Sequence, residues 1–136
     1  MKIESYIGVD SIKLGMKIAD VRQIMGEEPD TSFNKAEMCT DGYLKNSFQV
    51  FYKEPGICEA IEIYSPIDIT FKDKKLLGKP FNKIHKWLEQ YDENIDVDDS
   101  GLTSYKLGIG LYAPAHIENS SYPIESVIVF EKGYYD

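Results

Sequence analysis

The feature that most constrains this chain is that its second half repeats the order of its first. Leu14-Gly15 recurs as Leu77-Gly78, 63 residues further on, and Ile18, Val21 and Met25 recur as Phe81, Ile84 and Leu88. Asp41-Gly42 aligns with Ser100-Gly101 at an offset of 59, and Phe51-Tyr52 with Leu111-Tyr112 at 60. Glu59-Ala60-Ile61-Glu62-Ile63-Tyr64 aligns with Glu125-Ser126-Val127-Ile128-Val129-Phe130 at 66. The offset changes only in polar stretches, as expected when a structural unit is copied and its loops then drift. The expectation is an α+β fold, residues 1–136 forming a single domain with internal repeats over approximately 3–65 and 67–131. Each repeat would be a helix followed by antiparallel strands, with the helices packed on one face of an antiparallel sheet.

Local patterns give the parts of each repeat. Ile18, Val21, Ile24 and Met25 fall at helical spacing, Gly26 stands where a left-handed residue ends a helix, and Pro29 follows. Phe48–Lys53 and Cys58–Tyr64 read as two strands joined by a turn at Glu54-Pro55-Gly56, and Tyr43-Leu44 as the start of another strand after Asp41-Gly42. In the second half Phe81, Ile84, Trp87 and Leu88 form an apolar stripe behind Pro80, which suits a first helical turn. The segment from Asp92 to Gly101 reads as a polar loop, and those over Leu102–Ala113 and Ile124–Phe130 as strands.

Composition narrows the function classes. The net charge of -8 disfavours contact with nucleic acid or anionic lipid and favours a basic protein partner; it also serves solubility. Two cysteines, Cys39 and Cys58, are too few for a disulfide scaffold, and a single bridge stays open. The first residues carry no apolar signal-like core, and no stretch approaches the ~20 apolar residues of a membrane span. A cytoplasmic location is expected.

Leu14-Gly15-Met16, an amphipathic helix, then Gly26 and Pro29 resemble the opening of the SmpA/OmlA-type small lipoproteins and of the beta-lactamase-inhibitor-protein fold. The resemblance covers the organisation of nearly the whole chain through a motif of about five residues. It implies tandem units forming one long sheet that binds a target protein across its face. No lipobox cysteine lies near the N-terminus, so a lipid anchor is not implied. The acidic character and the ending Val127-Ile-Val-Phe-Glu-Lys-Gly-Tyr-Tyr-Asp136 also resemble immunity proteins of bacterial polymorphic toxin systems.

Catalytic and metal patterns are absent from the sequence. His85 and His116 share no ligand spacing, and no Cys-x-x-Cys, nucleophile elbow, phosphate loop or dinucleotide fingerprint occurs. No cofactor or metal is expected, and a zinc site would need Cys39, Cys58, His85 and His116 gathered across the fold. Asp96-Val-Asp98-Asp99-Ser100-Gly101 matches the first half of a calcium loop, but Leu107 stands where the closing glutamate belongs. On the strands, Ile61, Ile63, Val127 and Val129 share one face and suit a helix-covered core. Tyr64, Ile128 and Phe130, together with Tyr52 and Tyr112, are expected on the other face, either as an aromatic contact surface or covered by the C-terminal tail or a second subunit. With Asp96, Asp98 and Asp99 as a steering patch, this describes a non-enzymatic protein-binding or inhibitory module, concretely a toxin-neutralising immunity protein. Two alternatives stand beside it: a small-ligand or calcium-binding domain using residues 96–101, and an enzyme without a recognisable motif.

Overall fold

The computed structural model describes residues 1–35 and 38–135. Among the described residues, two α-helices, two short 3-10 helices and two sheets make up the fold. The larger sheet has eight strands, all antiparallel. The first four are β4 (Thr31–Lys35), β5 (Met38–Tyr43), β6 (Phe48–Lys53) and β7 (Ile57–Tyr64). The others are β10 (Asp96–Asp98), β11 (Gly101–Ser104), β12 (Ile109–Tyr112) and β13 (Ser126–Phe130), and the spatial order is β10-β11-β12-β13-β7-β6-β5-β4. Helix α1 (Ile18–Met25) precedes the first four strands and helix α2 (Phe81–Leu88) the last four. The same element order therefore occurs twice, and the two meanders meet at β7 and β13.

The smaller sheet escaped the sequence reading. It joins β1 (Lys2–Glu4), β2 (Gly8–Val9), β3 (Ile12–Lys13), β8 (Thr70–Phe71) and β9 (Lys74–Lys75) in the order β3-β2-β1-β8-β9, with β1 and β8 parallel. Strands of two or three residues are too short to show an alternating pattern, so nothing in the sequence flags them.

Both helices form where their stripes predict. Gly26 takes a left-handed conformation (φ 72°) and its N–H bonds back to Arg22 O, which ends α1. Val21 is buried, but Ile24 is 44% exposed and lies off the packed face. Arg22 takes a packing position instead. Its guanidinium makes two 2.8 Å hydrogen bonds to the carboxylate of Asp41, which is completely buried on β5, and Ser32 Oγ donates to the same carboxylate at 3.0 Å. This fork ties α1 to the inner face of the sheet. Asp41-Gly42 thus lies within a strand, opposite Ser32 and Thr31, and Tyr43 ends that strand rather than opening one.

The core lies on the inner face. Ile61, Ile63, Val127 and Val129 are fully buried, in one cluster with Val21 of α1, Ile84 and Leu88 of α2, and Ile3, Val9 and Phe71 of the small sheet. Pairing runs Ile61–Val129, Glu62–Ile128 and Ile63–Val127. Counting outward from this seam, Val50 corresponds to Leu111 and Asp41 to Leu102. The sequence alignment of Tyr52 with Tyr112 is therefore one residue out of register, and that of Asp41 with Ser100 is two out. The register changes between Phe51 and Tyr52, where Tyr52 pairs with Cys58 and Phe51 with Ala60. The extra residue, Glu59, is a bulge.

Cys39 and Cys58 are both free and sit on either side of Tyr52, each paired with it on a neighbouring strand. Two strand spacings separate them, about 10 Å, beyond the roughly 7 Å over which a disulfide can form. Burial pushes the Cys58 thiol up to about 12.

The Arg22–Asp41 fork generates a stability prediction. Arg22→Met leaves a buried carboxylate without its cation and should cost about 2–4 kcal/mol, the partial exposure of Arg22 softening the usual penalty. Adding Asp41→Leu, which supplies the residue found at the corresponding position in β11, should recover most of that loss. Urea unfolding checks both: the midpoint falls in the single variant and returns in the double, with the slope unchanged.

Candidate functional site

The outer face of the large sheet is assembled by strand alternation. One row across it reads Thr103, Gly110, Ile128, Glu62, Gln49, Gly42 and Thr31 from β11 to β4. A neighbouring row brings together Tyr112, Ser126 and Tyr64. The two glycines leave depressions, since a Cβ on Gly110 would stand 3.0 Å from Ile128 Cγ2 and one on Gly42 2.3 Å from Thr31 Oγ1. Between them a ridge is built by hydrogen bonds centred on Glu62. Tyr64 Oη lies 2.8 Å from Glu62 Oε1 and 2.7 Å from Gln49 Oε1, and Ser126 Oγ donates to Glu62 Oε2 at 2.9 Å. Burial, and then the carboxylate beside it, raises the Tyr64 phenol above its ordinary range.

A cleft lies on each side of this ridge. One of about 180 Å³ has Glu62, Ile128, Gly110, Tyr112, Asp98 and Tyr135 among its walls. The other, about 300 Å³, is bounded by Tyr64, Gln49, Phe48, Leu44 and Thr31 over Gly42. Leu44 stands 67% exposed at its rim. The first cleft is therefore bordered by carboxylates and the second by apolar groups.

Several sequence-selected residues meet here and others do not. Tyr64, Ile128 and Tyr112 are on this face; the first two are half-buried and Tyr112 is 45% exposed. Tyr52 is not on it. It follows Val50 by two residues on β6, so alternation turns it inward, and it is 1% exposed in the core. The hydroxyls of Tyr52 and Tyr43 are buried without a hydrogen-bond partner among the described residues, and burial pushes the Tyr43 phenol up to about 12. Phe130 is on the outer face but covered. Tyr134 stacks on it at 5.9 Å, Tyr135 meets it edge-on at 5.0 Å, and Tyr6 and Tyr105 complete the enclosure. The C-terminal aromatics, legible in sequence only as a tail, bury this ring, so Phe130 is covered rather than presented.

The acidic segment is also not the loop its composition suggests. Asp96 and Asp98 lie in edge strand β10, paired with Thr103 and Gly101. Extended backbone cannot wrap successive side chains around one ion, as a calcium loop must. Instead Asp98 Oδ1 accepts hydrogen bonds from Ser100 Oγ, Ser100 N and Gly101 N. The Ser100 side chain leads in holding this carboxyl below its ordinary range. Asp96 and Asp99 are exposed. His116 braces the strand, its Nε2–H donating to Asp98 O at 2.6 Å while its ring stacks on Phe81 at 4.2 Å. Among the described residues no three of His, Cys, Asp and Glu gather to hold a metal, and Cys39, Cys58, His85 and His116 are not brought together. Among them, too, no helix is long and apolar enough to cross a membrane. No protein-family model, curated protein or solved structure matches this chain.

The aromatic groups give a pH prediction. The Tyr64 phenol is raised, and burial pushes Tyr134 up to about 12, from an ordinary value of 10.0. Above pH 10 the unfolded chain releases these protons first, so their contribution to stability is full below pH 10 and is lost as the pH climbs towards 12. Denaturant unfolding across that range should show the decline, and absorbance at the phenolate band should show late-ionising tyrosines. Tyr64→Phe should remove one late phenol and flatten the decline.

Proposed function

We propose that this chain is a non-enzymatic protein-binding module, a tandem duplication of a helix-and-four-strand unit, whose outer sheet face occludes a basic protein target. Its concrete form is an immunity protein that neutralises a toxin, with the tandem organisation that the sequence resemblance to the beta-lactamase-inhibitor-protein fold implies. Support for the duplication comes from the twofold occurrence of the element order and from the central register. If the halves are copies, Glu62 and Ile128 are equivalent residues, and they pair with each other, as residues at the centre of an isologous contact do.

The observation that carries the binding reading is Glu62. It is a half-buried carboxylate in the middle of the sheet, and among the described residues its oxygens are met only by neutral hydroxyls. No lysine, arginine or histidine among the described residues lies within salt-bridge distance of it. A carboxylate withdrawn from water is normally paired with a cation. A cationic side chain from a partner would complete this one, steered in by Asp96, Asp98 and Asp99 on the adjacent edge. The apolar cleft beyond the ridge would take a neighbouring apolar side chain. Neither cleft is lined by histidine or cysteine.

The test is co-expression with the product of an adjacent toxin gene, followed by binding kinetics. Wild type should restore growth. Reversing Asp96, Asp98 and Asp99 to lysine should slow association about ten-fold at low salt and leave dissociation little changed. Glu62→Gln should instead speed dissociation about ten-fold or more. Binding indifferent to salt and to all these changes would refute the proposal.

A further inference from the structure

A second charged feature has the opposite sign. Residues 72–86 hold six lysines and one aspartate, a net of +5 in a chain whose total is -8. The fold does not disperse them. Lys74 and Lys75 of β9, Lys79, and Lys83 in the first turn of α2 line a single cleft of about 330 Å³ together with Pro80, Ile84 and one carboxylate, Asp73. All four lysines are exposed.

These cations are held where the rest of the protein does not neutralise them. Lys75 approaches Asp68 at 3.6 Å, both groups in solvent, while Lys74, Lys79 and Lys83 have no carboxylate within salt-bridge distance among the described residues. The Lys74 ammonium lies 5.6 Å over the Trp87 ring, and neighbouring Lys72 lies 4.7 Å over Tyr91, so aromatic faces rather than carboxylates hold these two. Helix α2 has no acidic residue in its first turn. Lysines at that end oppose the helix dipole, which favours negative charge there. A local preference broken without a compensating contact marks a candidate functional position.

We propose that the cleft between β9 and the first turn of α2 binds a small ligand carrying clustered phosphates, held by the ammonium groups of Lys74, Lys75, Lys79 and Lys83. The side chains, not the helix backbone, make the site: Phe81 N and Asn82 N are already bonded to Tyr122 O and Ser120 O. Lysine without arginine suits a site that reads charge density rather than the planar geometry of a carboxylate. The volume lies at the lower end of small-molecule pockets, so the ligand is compact.

Calorimetric titration with sodium tripolyphosphate tests the site. Wild type should bind one equivalent, at least about ten-fold more weakly at 200 mM than at 50 mM salt, as ion-displacing contacts require. Lys79→Glu with Lys83→Glu should weaken binding about ten-fold or more, whereas Lys2→Glu with Lys17→Glu, an equal charge change elsewhere, should move it less than about two-fold. Citrate should bind at least about five-fold more weakly than tripolyphosphate. Equal binding of citrate, equal loss in the Lys2/Lys17 control, or no heat at millimolar tripolyphosphate would each overturn the proposal. Phosphate borne on a lipid headgroup shares the chemistry. Flotation with vesicles containing phosphatidylinositol bisphosphate should leave the protein in the soluble fraction, and co-flotation would overturn the assignment to a free ligand.

Discussion

The antiparallel pairing of β7 with β13 is the interaction on which the rest of the structure depends. It joins the two four-stranded meanders into one sheet, and its register decides which face every flanking residue occupies. Ile61, Ile63, Val127 and Val129 are completely buried by it. A slip of one residue would turn the apolar pair of one strand, Ile61 and Ile63 or Val127 and Val129, to the other face, and if β7 is the strand that turns, Glu62 enters the core. At about 1.5–3 kcal/mol for each buried aliphatic side chain, the apolar loss alone is about 3–6 kcal/mol. That is a large fraction of the stability of a typical domain, so the seam has one register, and the outer face inherits its arrangement from it.

How much of this was legible in the sequence follows from the length and regularity of each element. The alternation in Ile57–Tyr64 and Glu125–Phe130 runs long enough to assign their faces, and the apolar spacing before Gly26 and after Pro80 places both helices. Tyr52 was misplaced because Phe-Tyr and Leu-Tyr align well as letters, whereas strand pairing counted from the seam matches Phe51 rather than Tyr52 to Tyr112, and one residue is enough to reverse a side chain. The strand expected to start at Tyr43 instead ends there and includes Asp41-Gly42, because an aspartate is accepted inside a buried strand only through its distant guanidinium partner, which no local pattern shows. Phe130 was assigned to the correct face, but what covers it comes from Tyr6, Tyr105 and the C-terminal tyrosines, contacts that no local pattern encodes.

The departures from symmetry are concentrated where chemistry is possible. Asp41 and its fork to Arg22 occupy the position that Leu102 fills in the other meander, and Glu62 faces Ile128 across the seam. A buried ion pair is not needed for packing, since a leucine serves at the corresponding place, so it contributes more to the definite seating of α1 than to net stability. Glu62 differs from Asp41 in having no such cation. Of Asp41 and Glu62, the first is neutralised within the fold and the second, among the described residues, is met by hydroxyl donors alone and lies beside an open cleft.

Net charge therefore misdescribes this surface. At physiological ionic strength exposed charges influence one another over about 8 Å, so a partner meets local patches rather than the total of -8. The edge carrying Asp96, Asp98 and Asp99 attracts cations, and the cleft carrying Lys74, Lys75, Lys79 and Lys83 attracts anions. The acidic average hid the second patch, because six lysines within residues 72–86 disappear into a composition with 23 acidic residues. Strand pairing and the first turn of α2 convert that run of letters into a concave site. The proposed site would be a local exception to the expectation that an acidic chain avoids phosphate: among the described residues no carboxylate lies within salt-bridge distance of Lys74, Lys79 or Lys83, although Asp73 shares the cleft.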